Sequence, residues 1–219
     1  MHSNPTVHKH ARQWKEDRES MEFVNPAWVM DGGDDMSREE LQSVLPKVVV
    51  DKPMPGGYYA PHMFHNGPAL ELYLDHFPKH VNIRAEKVTE TPLMTQATFG
   101  RVDCVKVLLQ KGAYPFATDY IKRTALDYAG LGYNQSTKPI VINMIKESIA
   151  DWNKKCHNCK KGAVKLSKCA GCKMVVYCGR DCQSSHWKSV HKFLCKTYPQ
   201  LTITPEGEPP SGPEDCRIS

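Results

Sequence analysis

The sequence lacks any apolar run near the roughly 20 residues that span a bilayer, and it has no secretory hydrophobic core near its start. The expectation is a soluble protein. It also lacks a P-loop, a dinucleotide fingerprint and a Ser/His/Asp set, so the common nucleotide-dependent and hydrolytic chemistries have no carrier. Acid is missing from the first fifteen positions, MHSNPTVHKHARQWK. That segment weakly resembles an organelle-targeting peptide, but Pro5 and three histidines interrupt the pattern, and a frayed tail or short helix is expected. Acid is scarce again between Trp152 and Tyr198, where Asp181 alone faces eleven Lys and Arg. The chain total is only +5, so the remainder is mildly acidic.

What is present is 219 residues with 40% hydrophobic content, a mean hydropathy of -0.52 and sixteen prolines. One or two modest domains with unpacked ends are expected. Residues 1–57 read as a partly ordered extension. Ser37 to Glu40 has the S-x-x-E form of a capping box and predicts a short helix over Arg38–Leu45, ending before Pro46. Val48–Val50 reads as a brief extended piece, Asp51–Gly57 (DKPMPGG) as a linker, and Phe23, Trp28 and Val29 as cover for a flank of the next domain.

Residues 58–152 carry an internal repeat. Thr91-Pro92-Leu93 opens a segment that passes Gly100 and closes at Val105-Lys106-Val107-Leu108-Leu109-Gln110-Lys111-Gly112-Ala113. Its start recurs at Thr124-Ala125-Leu126 with Gly132, giving a period of about 33 residues. Pro92 suits a first helical turn, Gly100 a tight helix-to-helix turn and Gly112 a left-handed cap. Val105, Leu108 and Leu109 form one apolar face with Cys104 beside it. These residues resemble the ankyrin repeat. Gly67 and the leucines at 70, 72 and 74 then read as a worn first repeat, and Asn134–Lys138 as a lengthened turn before a helix opened by Pro139. The resemblance implies a mostly α stack whose hairpin tips, near Arg84–Glu90 and Ala117–Lys122, bind a second protein.

Seven of nine cysteines fall between Cys156 and Cys195, spaced C-x2-C-x9-C-x2-C-x5-C-x3-C-x8-H-x3-C. Soft ligands at this density, without a secretory signal, point to metal in a reducing compartment, cytoplasm and/or nucleus. Cys156, Cys159, Cys169, Cys172, Cys178, Cys182, His191 and Cys195 supply eight donors, enough for two closed tetrahedral Zn2+ sites. The C-x3-C and H-x3-C spacings each put two donors on one side of a helix. Spacing alone leaves sequential and interleaved pairing both open. Seven thiolates on two Zn2+ would offset about three positive charges, leaving the module basic. With every position filled by protein, neither metal keeps a water for hydrolysis, so both ions are structural.

Tyr177-Cys178, Cys182-Gln183, Trp187 and His191–Cys195 resemble the MYND-type zinc finger, a small β-plus-helix module over residues 156–195. The resemblance implies interleaved sites, one from Cys156, Cys159, Cys178 and Cys182 and the other from Cys169, Cys172, His191 and Cys195. It departs in one place: the family usually has two residues between the Trp and the His, and here there are three. The family spacing would fall on Val190, which cannot bind metal, so His191 takes the role and the helix must adjust. His186 is the competing imidazole, and His157 is read as a surface residue. The resemblance also implies that Gln183 and Trp187 hold proline-containing peptides against a strand edge at Met174–Tyr177.

These readings converge on a non-enzymatic adaptor that binds proteins carrying proline-containing motifs through the finger. Alternatives are a nucleic-acid-associated regulator using the basic finger, or an accessory subunit of an enzyme complex. MYND fingers also occur beside SET methyltransferase domains, but the chain shows no G-x-G plus N-H-S pattern, and it lacks the C-x-H-x2-C centre of a RING ligase. Aromatics are not interleaved with the lysines as stacking platforms, so nucleic acid is not the expected partner. Residues 199–219, rich in Pro, Glu and Ser, read as a disordered tail. Its Pro199–Ile203 stretch is near the P-x-L-x-P form and is a candidate to fill the Gln183/Trp187 groove in cis.

Overall fold

The computed structural model describes residues 52–54, 56–162 and 165–201, together with Glu39, Gln42, Ser43 and Leu45, and for 199–200 the backbone alone. The expected Arg38–Leu45 helix lies largely outside these residues. The Val48–Val50 strand, the flank cover by Phe23, Trp28 and Val29, the amino-terminal segment and residues 202–219 lie wholly outside them.

Six helices form three antiparallel pairs: α1 (Ala60–Met63) with α2 (Gly67–His76), α3 (Pro92–Phe99) with α4 (Val102–Gln110), and α5 (Ala125–Leu131) with α6 (Lys138–Asp151). The shorter helices α1, α3 and α5 line up in one layer and the longer α2, α4 and α6 in a second, so the core lies between two layers of helices. Each start has a local cause. Asn66 accepts from the Ala69 N–H at 2.7 Å, Pro92 occupies the first turn of α3, and Thr124 and Asp127 cap each other's backbone N–H at α5. Asn134 accepts from the Ser136 and Thr137 N–H groups, which shapes the long turn into α6.

The α4 face buries Cys104, Val105, Val107 and Leu108 while Leu109 is only half-buried, so Val107 takes a core place outside the expected 105/108/109 stripe. Gly100 (φ 67°) and Gly112 (φ 92°) adopt the left-handed conformation that other residues reach only at a cost. A side chain at Gly100 would also strike Thr137 Oγ1 at 2.3 Å.

The worn first repeat holds because its orphan carbonyls find donors in the second. Helix α1 is a single turn, so its carbonyls have no partners of their own. Buried Gln96 places its Nε2 at 3.0–3.1 Å from the carbonyls of Pro61, His62 and Phe64, and Arg101 Nη1 donates to Phe64 O at 3.0 Å.

After α6 the chain forms a two-stranded antiparallel sheet, β1 (Ser167–Lys168) with β2 (Val176–Tyr177). Beyond it lie α7 (Arg180–His186), a π-helical turn over Trp187–His191, the short α8 (Lys192–Leu194) and a 3-10 turn at Tyr198–Leu201. This unit is seated on the repeats. Trp152 donates its Nε1–H to Met174 O at 2.6 Å and meets Tyr114 and His157 edge-on. Tyr198 donates to Gly112 O at 3.0 Å. No helix among the described residues is long and apolar enough to cross a membrane.

Candidate metal centre and recognition helix

Two cysteine knuckles shape the site. In each, the second cysteine is followed by a lysine forced to positive φ, Lys160 after Cys159 and Lys173 after Cys172, both at 60°. Lys160 N–H donates to Cys156 O at 2.8 Å, and Lys173 N–H donates to Cys169 O at 3.1 Å. This left-handed turn folds each C-x2-C pair back on itself so that both sulfurs face one point. A branched or bulky residue there would be strained.

Helix α7 brings Cys182 one turn from Cys178, with their sulfurs 3.5 Å apart, and Cys178 lies 3.8 Å from Cys159. In the second cluster Cys169 and Cys195 are 3.8 Å apart, and His191 Nε2 lies 3.3 Å from Cys169 and 3.7 Å from Cys172. The groups are Cys156, Cys159, Cys178 and Cys182, and Cys169, Cys172, His191 and Cys195. All ligand atoms within a group lie within 4.8 Å of one another. Sulfurs on a tetrahedral Zn2+ at the usual bond length sit about 3.8 Å apart. The donor sets and their spacings therefore fit two structural zinc ions, and the pairing that the structure brings together is the interleaved one.

The competing imidazole, His186, belongs to neither group. It sits with Nδ1 at 2.9 Å from the Tyr177 hydroxyl, and its ring stacks on His191. Burial and the neighbouring His191 hold His186 to about 3, well below the ordinary imidazole value.

The extra residue between Trp187 and His191 is absorbed by the π turn. Lys192 N–H donates to Trp187 O, five residues back, which widens one turn by one residue. Ser189 Oγ donates to His186 O at 3.1 Å and supplies a partner within the widened turn. Trp187 then packs edge-on against the His191 ring, centroids 5.7 Å apart.

His157 is not the surface residue that the sequence suggests. It is 9% exposed, donates its N–H to Val176 O at 2.9 Å, and its Nδ1 accepts from Val176 N–H at 3.1 Å. The ring is covered by Trp152, which closes the repeats and leaves no signal in the finger's own spacing. Burial lowers its imidazole to about 4. The outer edge of β2 at Val176 is therefore already paired, and Met174 O is taken by Trp152. The expected strand edge at Met174–Tyr177 is closed from within. Because Lys168 pairs with Val176 in register, its own N–H and C=O turn away from β2, so among the described residues the open edge of this sheet is β1.

Gln183 and Trp187 lie one turn apart, both half-buried, and neither side chain makes a hydrogen bond among the described residues. The tail departs from the expected course over its described part. Leu201 O accepts from Arg84 Nη2 at 2.6 Å and from Thr118 N–H at 3.1 Å, on the repeats.

Comparison with known proteins agrees with these modules. The family description "MYND finger" matches residues 156–195 and "Ankyrin repeat" matches residues 90–120. The chain is similar to ubiquitin carboxyl-terminal hydrolase 19 of Arabidopsis thaliana, 33% identical over 86 residues, or 39% of this chain and 12% of that protein. It is also similar to SET domain and MYND-type zinc finger protein 6 of Schizosaccharomyces pombe, 33% identical over 55 residues, 25% of this chain and 11% of that one. Tudor domain-containing protein 1 of Oryzias latipes is 40% identical over 48 residues, 22% of this chain and 4% of that one. The chain thus spans about a tenth or less of the length of these relatives. Ankyrin repeats and MYND fingers are non-catalytic protein-interaction modules, and this chain joins an ankyrin repeat at residues 90–120 to a MYND-type zinc finger at residues 156–195.

Proposed function

We propose that the protein is a non-enzymatic, intracellular adaptor of cytoplasm and/or nucleus, in which repeats over residues 58–152 hold one protein and the finger over 156–195 holds a proline-containing segment of another. The eight donors are the zinc ligands in the two interleaved groups. The ions supply folding free energy, about 10 kcal/mol or more per site in peptide systems. The finger residues then hold their sulfurs in place and present the recognition helix.

One observation carries the peptide reading. The Gln183 carboxamide and the Trp187 indole N–H are unpartnered among the described residues and adjacent on the helix, and neither belongs to a donor group. An indole face with a free donor beside a carboxamide suits a proline ring flanked by backbone carbonyls. Main-chain pairing would use β1 at Lys168, since the β2 edge is closed. On the repeats, Tyr120 and Ile121 stand more than half exposed at the 117–122 tip, an apolar pair suited to a protein partner.

The test is a titration with a P-x-L-x-P peptide and with duplex DNA at two salt concentrations. Saturable, salt-tolerant peptide binding is expected, falling at least about tenfold in Trp187→Ala with both zinc ions retained. Steeply salt-dependent DNA binding without peptide binding would overturn the reading. Capture experiments with Ile121→Asp test the second surface.

A further inference from the structure

Arg84 lies at a tip that the ankyrin resemblance marks for partner binding, yet its guanidinium is already engaged. Nη1 donates to Thr89 O and Thr118 O, both at 2.8 Å, and Nη2 donates to Leu201 O at 2.6 Å. Three carbonyls from three separate segments converge on one planar fork: its own hairpin, the next hairpin and the segment beyond the finger. Leu201 O also accepts from Thr118 N–H, so the carbonyl that ends the 3-10 turn is held by two donors. The Leu201 residue is 1% exposed against the repeats, and Tyr198, three positions earlier, is fully buried with its hydroxyl on Gly112 O. Burial of the Arg84 guanidinium weakens its hold on its proton, an effect opposed by Asp119 nearby. A desolvated, preorganised fork of this kind favours an acceptor that stays in place.

We propose that the surface formed by Arg84 and Thr118 is a docking site for a leucine-bearing segment, and that the chain's own Tyr198–Leu201 turn fills it in cis. The contact ties the carboxyl side of the finger to the hairpin tips of the repeats. It leaves Gln183 and Trp187 out of the tail's reach over the described residues, and it makes the Arg84 part of the tip surface available to a partner only when Leu201 leaves. The proposal stands independently of peptide binding by the finger, because no residue of the Gln183/Trp187 pair takes part.

Two measurements on the zinc-loaded protein test it. Amide exchange at Thr118 is expected to be slow in the full chain and at least about tenfold faster in Leu201→Asp, which removes the anchor without touching Arg84. A synthetic peptide of residues 200–208 is expected to bind saturably to a chain ending at Pro199. Binding to the full chain should be about tenfold weaker, since a tethered segment at about 1 mM effective concentration outcompetes a ligand of about 100 µM affinity to that degree. Arg84→Lys in the shortened chain, which keeps the charge and loses the fork, should abolish the peptide signal while two zinc ions remain bound. Equal peptide binding to full and shortened chains, or Thr118 exchange unchanged by Leu201→Asp, would overturn the proposal.

Discussion

His62 is fully buried at the start of α1. Its Nδ1 accepts from Tyr59 N–H at 3.3 Å, and Nε2 lies 3.1 Å from Glu90 O, 28 residues on. Burial lowers its pKa from 6.5 to about 4, against the weaker raising effect of the two backbone carbonyls. The sign of the linkage comes from that order. The unfolded chain takes a proton below pH 6.5 and the folded one resists until about 4, so stability is full above 6.5 and falls as the pH drops through that window. The loss is about 2 kcal/mol between about pH 6.5 and 5. His62→Gln should be less stable at about pH 7 by about 1–2 kcal/mol yet lose less on acidification, measured as the difference between variant and parent melting curves. Protonation of the zinc ligands is common to both proteins and cancels. At this scale the sequence was legible where chemistry is local. Cysteines and His191 announce themselves by spacing, whereas His62 and His157 owe their burial to Glu90 and Trp152, which spacing does not reveal.

The π turn belongs to the scale of the element. Three residues between Trp187 and His191 imply a helix that adjusts, and the structure places the adjustment in one widened turn, with Lys192 N–H bonded to Trp187 O. The MYND resemblance locates the insertion, because its usual spacing runs between two fixed points, the Trp and the His. It could not say whether the extra residue would loop out or widen the helix, since that depends on His191 and Cys195 having to meet Cys169 and Cys172. Deleting Ser189 should close the turn to an α-helical one and restore the two-residue spacing. Metal analysis is expected to find two zinc ions still bound, with thermal stability equal or higher. Loss of one zinc on deletion would show that the widened turn itself positions His191. In the repeats, the 33-residue period sets the order of α3 to α6. The single-turn α1 was less visible because Gln96 and Arg101 of the next repeat supply its hydrogen bonds.

At the scale of the whole molecule, the two modules were legible but their docking was not, because the contacts join residues far apart in sequence. Trp152 closes α6, yet its indole N–H bonds Met174 O in the finger and its ring meets Tyr114 and His157. Leu194 and Tyr198 complete the seam against Gly112, where any side chain would meet the Tyr198 hydroxyl at 3.0 Å. The finger is therefore held from two sides, by zinc within and by the repeats beneath. Chelating the metal should unfold the finger, since it has little apolar core of its own. It should also lower the melting temperature of the repeats, because Trp152 and Tyr114 lose their cover. Trp152→Ala separates the two supports: removing a large aromatic from a packed seam costs about 3–5 kcal/mol, but the eight donors are untouched. Two zinc ions should remain bound while calorimetry resolves two transitions in place of one, with chelation then shifting only the finger's. A single transition in Trp152→Ala, lowered by chelation as in the parent protein, would mean that the seam does not depend on the indole.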